Sequence, residues 1–126
     1  MILIHGFIMT AGLAFALGGI ACALFSRRKA WWLTAHRRAG YGTAGALCLG
    51  GLLAIVALSL SGEGHLGTPH ALIGSAGIAL GLVTPALGTL QFRDRRLQPF
   101  HRWSGRITGT IMLVNVILGL VLVGIL

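Results

Sequence analysis

Residues 68–92 read TPHALIGSAGIALGLVTPALGTLQF, and the class of this protein turns on that stretch. It carries no charged side chain over a length that, at 1.5 Å per helical residue, matches the hydrocarbon core of a bilayer of about 30 Å. Thr68 followed by Pro69 is a capping residue and then proline at the first helical position, which marks the start of a helix. Pro85 lies inside the run, where it removes one backbone donor and crowds the Gly81 carbonyl. A kink is expected there, of a kind that membrane bundles tolerate.

The same pattern extends in both directions. One apolar block covers about residues 5–25 and stops at Ser26-Arg27-Arg28-Lys29. A second covers about 35–60 and stops at the polar loop SGEGHLG of 61–67, the third is 69–92, and a fourth covers about 100–125 after Arg93-Asp94-Arg95-Arg96 and Pro99. Of the 126 residues 56% are hydrophobic and 10% charged, in blocks of about 20 rather than the alternation or heptads of soluble domains. The expected fold is all-α: an integral membrane four-helix up-and-down bundle formed by residues 1–126 as a single domain. Four spans leave no room for a soluble catalytic domain, so any chemistry belongs in the membrane or at its edges. Cys22 and Cys48 fall inside spans without CxxC or Cys/His spacing and read as small buried hydrophobes.

Ten Lys and Arg against two Asp and Glu give a net charge of +8. Arg27 to Lys29, Arg37 and Arg38, Arg93, Arg95 and Arg96, and Arg102 with Arg106 all fall on one side of an antiparallel four-span bundle. The positive-inside rule makes that side cytoplasmic and puts both termini on the outer, periplasmic side of a cell inner membrane. Trp31, Trp32 and Trp103 beside the basic clusters fit an interfacial aromatic belt. The charge is thus explained by topology and anionic lipid headgroups, and nucleic-acid binding is excluded for want of a recognition motif. Met1-Ile2-Leu3-Ile4 has no basic n-region, so the first span does not read as a cleaved signal.

Four histidines stand at or near the starts of the four spans. His5 and His70 open the first and third from outside; His36 and His101 open the second and fourth from the cytoplasm. In an up-and-down bundle the first and third helices lie diagonally, as do the second and fourth. The pairs His5/His70 and His36/His101 can therefore face one another across the core, one pair per leaflet. That is the requirement of bis-histidine haem ligation, in which neutral imidazoles at equal depth offer nitrogen lone pairs. Gly40, Gly74 and Gly105 lie four residues after His36, His70 and His101, beneath them on the same helix face, and would clear space for a flat ring. His5 has Met9 at that position. Gly42, Gly77 and Gly109 keep the same region thin. Glycines spaced by four also serve close helix approach, and a histidine at a helix start can simply snorkel to the headgroups; four histidines at matched depths favour ligation. His65 reads as a solvated loop residue. Asn115, midway along the fourth span, is expected to bridge helices by hydrogen bonding.

The order His5-Gly6, Trp32-x-x-x-His36, Pro69-His70-x-x-x-Gly74, a basic turn and Pro99-x-His101-x-x-x-Gly105 resembles the four-helix core of the cytochrome b561 family, including the domains joined to extracellular DOMON modules. The resemblance covers nearly the whole chain. It implies that His5, His70, His36 and His101 ligate two b-type haems, the first with the third helix and the second with the fourth, and that electrons cross the membrane. The chain lacks the two flanking helices of eukaryotic members, which puts an ascorbate site and an independent reductase activity in doubt.

Two imidazoles leave no open iron position, which favours electron transfer over oxygen chemistry. Haem propionates need cationic partners: Arg37, Arg38, Arg102 and Arg106 lie within a turn or so of His36 or His101, and forked guanidiniums suit carboxylates, though each also suits lipid headgroups. The outer side offers no arginine, leaving water, Thr68 or a partner subunit. Three function classes remain. The first is a di-haem electron carrier handing electrons to or from a quinol or a partner redox protein in a larger complex. The second is a small four-helix exporter, disfavoured because Glu63 and Asp94 lie in loops and no carboxylate lies in the membrane. The third is a haem-free structural or assembly subunit.

Overall fold

The structure is a computed structural model that describes residues 2–61 and 67–126, with the side chain of Ile2 left out. Among the described residues there are four α-helices: α1 (Ile2–Phe25), α2 (Trp32–Ser61), α3 (Pro69–Leu90) and α4 (Gln98–Leu122), the last entered through a short 3-10 turn, Arg95–Leu97. All four are long and apolar enough to cross a membrane, so the protein is a multi-pass membrane protein whose apolar helices face lipid. His65 and Glu63 lie outside the described residues.

The helix ends are set by the expected local chemistry, with shifts of a few residues. Thr68 sits in extended conformation and its side chain accepts from the Ala71 N–H at 3.2 Å, capping α3 with Pro69 in its first turn. α4 begins at Gln98, with Pro99 in its first turn, and ends at Leu122 rather than 125. Asp94 caps the preceding 3-10 turn, accepting from the Arg96 N–H at 2.9 Å. α1 and α2 begin about a turn earlier than the apolar blocks do, at Ile2 and Trp32. Trp32, Leu33 and Thr34 thus belong to the helix, and His5 and His36 stand one turn inside rather than at the first residue.

Packing is closest within the hairpins α1/α2 and α3/α4, looser between α2 and α3 and between α1 and α4, and slight across the diagonals. This is an up-and-down bundle. Its interior is narrow: Met9, Leu13, Leu47 and Met112 form the buried apolar core, with Ala16, Ile78 and Val116 against it. Large side chains such as Phe7, Ile55, Leu72 and Ile117 point outward. Lipid is as apolar as these side chains, so the helices associate through close van der Waals packing at small residues. A Cβ on Gly12 would stand 3.0 Å from Ala46, one on Gly77 3.1 Å from Ile111, and one on Gly109 2.9 Å from Ile20, while Gly81 lies under Leu47. Gly42 faces Phe15. Gly42, Gly77 and Gly109 are therefore helix-packing positions.

The two hairpins repeat one another. His5 and His70 are 65 residues apart, as are His36 and His101, and the same offset pairs Ile8 with Ile73, Ala11-Gly12 with Ala76-Gly77, Leu17 with Leu82, Arg37 with Arg102, Gly40 with Gly105 and Thr43 with Thr108. Contacts follow it too, since Gly12 on Ala46 in the first hairpin corresponds to Gly77 on Ile111 in the second. Both hairpins start at the same end of the bundle, so the pseudo-twofold axis relating them runs along the bundle.

Candidate functional site

The expected histidine pairs form. The His5 and His70 rings have centroids 6.2 Å apart with planes at 81°, and the His36 and His101 rings 5.9 Å apart at 84°. One pair lies at each end of the core. His101 bonds Thr84, which is 14 residues along α3 from His70, a separation of about 21 Å at helical rise.

Each ring is held through Nδ1. His5 Nδ1 lies 2.8 Å from the Gly50 carbonyl and His36 Nδ1 2.8 Å from that of Gly19; His70 Nδ1 lies 3.1 Å from the Asn115 carbonyl and His101 Nδ1 3.0 Å from that of Thr84. A carbonyl oxygen only accepts, so in all four rings Nδ1 carries the proton and donates it, leaving Nε2 with its lone pair. A ligand histidine whose second nitrogen donates to a carbonyl is the usual arrangement around metals. These four bonds follow the repeat: Gly50 and Asn115 are 65 residues apart, as are Gly19 and Thr84.

The separations fit a metal between the rings. With bonds of about 2.0–2.1 Å from each imidazole nitrogen to a metal and about 1.1 Å from that nitrogen to the ring centre, two rings sharing one ion need centroids about 6.3 Å apart. Among the described residues no group of three or more His, Cys, Asp or Glu is placed to hold a metal ion, so an ion at either pair would take its remaining ligands from outside these side chains.

A cavity of about 600 Å³ adjoins the His36/His101 pair at the basic end of the bundle, within the range of cofactor sites. His36, His101, Gly40, Gly105, Arg37, Arg102 and Arg106 line it. Gly40 has open space where a Cβ would be, and at Gly105 the nearest atom is Thr84 Cγ2 at 3.7 Å; both keep the face beneath the rings clear. Arg106 also stacks over Trp103, 5.5 Å from its centroid. Arg38 is exposed and does not line the cavity.

Sequence reasoning missed several contributors. Arg27 and Arg95 join the cavity wall. Gly88 and Gly119 seat rings: a Cβ would meet His101 Cε1 at 2.8 Å and His70 Cε1 at 3.1 Å respectively. Thr84 and Thr108 bond each other at 3.2 Å below the inner pair. The 65-residue repeat was the signal that could have found the carbonyl partners and Thr108, because it aligns them with Gly50, Gly19 and Thr43.

The His5/His70 pair, at the other end, differs. The space beside Gly74 is taken by the Asn115 amide, whose Nδ2 would lie 2.9 Å from a Cβ there. Asn115 accepts from His70 through its backbone carbonyl, not through the side chain expected to bridge helices: Oδ1 is buried with no hydrogen-bond partner among the described residues. An acceptor left in that state costs about 1–3 kcal/mol.

No protein-family model matches the chain, and no curated protein or solved structure does either.

Proposed function

We propose that this chain is a di-haem b-type cytochrome of the b561 kind that carries electrons across a membrane. One observation carries the reading: two pairs of Nδ1-protonated imidazoles, each at the spacing of a shared metal ion, stand at opposite ends of one membrane-spanning core. His5 with His70 and His36 with His101 would hold the two haems, which supply one-electron redox centres.

The chain's own residues do the rest. The four carbonyls hold the rings in the tautomer that presents Nε2. With Nε2 of both rings in a pair offered to one haem, no open position would remain for oxygen or substrate, which suits electron transfer. Leu13, Leu47 and Met112 fill the core between the pairs and exclude water there. Arg37, Arg102 and Arg106 at the inner cavity offer guanidiniums to propionates, and Gly40 and Gly105 leave the ring its room. In this reading the basic end is cytoplasmic, both termini face the periplasm, and electrons pass to or from a quinol or a partner protein in a redox complex.

The test is a dithionite-reduced minus oxidised spectrum of the purified protein with a pyridine haemochrome count. Two b haems per chain are expected. None would overturn the reading in favour of a haem-free structural subunit.

A further inference from the structure

We propose that the basic end of the bundle holds one anionic phospholipid at the edge between α1 and α4, with its phosphate taken by Arg27 and Arg106. This stands whether or not a haem is bound.

The positive charge at that end exceeds what the chain neutralises. Arg27, Arg37, Arg95, Arg102 and Arg106 line one cavity. Asp94, the one acidic side chain among the described residues, caps the Arg96 N–H and does not line that cavity. Even with both propionates of a haem in place, three of these five guanidiniums would lack a counter-charge.

The repeat shows which are surplus. Arg37 and Arg102 correspond under the 65-residue offset, each directly after a paired histidine, and so stand in equivalent places on either side of the His36/His101 pair. Arg27 and Arg106 break the repeat, since their counterparts are Phe92 and Tyr41. Both departures fall on one edge of the bundle. A Cβ on Gly109 of α4 would meet Ile20 of α1 at 2.9 Å. From that contact toward the basic end, Arg106 lies about one turn along α4 and Arg27 about two turns along α1. The opposite edge, between α2 and α3, carries a phenol and a phenyl ring at the matching places.

Both guanidiniums are held in position. Arg27 Nε donates to the Ala23 carbonyl, which folds the side chain back by a turn and leaves its terminal nitrogens free. Arg106 is held over the Trp103 ring. Guanidiniums fixed in this way lose less freedom on binding and present forked donors that suit a phosphate. Leu24 and Trp103 beside them are exposed and continue into the lipid-facing surface. The anion that fits therefore brings apolar chains with it, which a phospholipid has and a soluble phosphate lacks. Basic pockets between membrane helices are a recurrent place for such headgroups.

The experiment is native mass spectrometry of the full-length protein in neutral detergent, titrated separately with phosphatidylglycerol, phosphatidylcholine and inorganic phosphate, with bound lipid counted per chain. One phosphatidylglycerol is expected to be retained, and phosphatidylcholine about tenfold more weakly or worse. Arg27→Gln and Arg106→Gln are each expected to weaken phosphatidylglycerol retention about tenfold. Arg28→Gln and Arg93→Gln remove the same charge at the same end without touching the cavity wall, and should change it by no more than about twofold. Equal losses in all four variants would reduce the effect to diffuse headgroup attraction and overturn the proposal. Equal retention of phosphatidylcholine, or displacement of the lipid by inorganic phosphate, would overturn it as well. Lipid retention without haem bands overturns the di-haem reading alone, and haem bands without lipid retention overturn the lipid site alone.

Discussion

The imidazole of His36 on α2 faces that of His101 on α4 at 5.9 Å with the planes nearly perpendicular, although 65 residues separate them and their helices hardly touch. Neither ring is held by the other. His36 is fixed by Gly19 of its own hairpin and His101 by Thr84 of its own, so the gap between them is maintained by the backbone of both hairpins.

If each facing pair ligates one haem, as proposed, the pair should fail as a unit. His36→Ala, His101→Ala and the double variant are each expected to lose one haem per chain, the same one, and His5→Ala and His70→Ala the other. Pyridine haemochrome counts check this; a double variant that loses more haem than either single one contradicts the pairing.

The ring planes, at 81° and 84°, bear on the ferric spectrum. Perpendicular axial imidazoles leave the iron's two π-type d orbitals nearly degenerate, whereas parallel ones separate them. Under the proposed haem ligation the ferric protein is expected to give strongly anisotropic low-spin EPR signals with a single prominent low-field feature, and a rhombic signal would contradict that reading.

Two glycines near the His36/His101 pair should differ in what alanine does to the fold. A Cβ at Gly88 would stand 2.8 Å from His101 Cε1, and the ring cannot step aside without losing its bond to Thr84. Gly88→Ala is expected to cost about 1–3 kcal/mol as overpacking and to lower inner-haem occupancy. Gly40→Ala meets nothing within 4 Å and should leave the fold of the haem-free protein unchanged while reducing haem uptake. Unfolding in mixed micelles and haem counts separate the two effects.

Leu47 is 1% exposed and lies over Gly81 at the centre of the bundle. Leu47→Ala should cost about 2 kcal/mol, the low end of the range for such truncations, because in lipid the packing loss remains while the transfer from water does not. Equilibrium unfolding in mixed micelles measures it.

Orientation is testable with single cysteines in a chain whose Cys22 and Cys48 are replaced. Ser26→Cys and Arg93→Cys, at the basic end, should react with an impermeant thiol reagent only in opened cells, and Gly67→Cys and Gly124→Cys in intact spheroplasts. The reverse pattern would invert the membrane topology.

Much of this fold was legible because membrane spans advertise themselves through length and lack of charge, and because histidine is rare enough in apolar helices for four to define depths. Thr68 and Pro69 marked a helix start in the letters alone. What stayed hidden depends on side-chain direction: that Gly74 would be covered by Asn115 while Gly40 lies open, that Arg38 points away from a cavity Arg37 lines, and that Gly88, one glycine among twenty, seats a ligand ring. The early start of α2 was obscured because Trp32, beside the basic cluster, reads as interface rather than helix. The repeat was present in the sequence but is spread thinly over small residues that any membrane helix might share, and the matching Nδ1 bonds bring it out.

Those four bonds all lie within hairpins, whereas both ring pairs lie between them. The choice of tautomer is therefore complete in each hairpin by itself, before the halves meet. Neither half holds a pair: the chain through Ser61 carries two prepared single rings, and so does the remainder. Under the proposed ligation, loading of either centre would be a late event in biogenesis, possible only after the second hairpin has docked on the first, and it would fasten the two halves together at both ends.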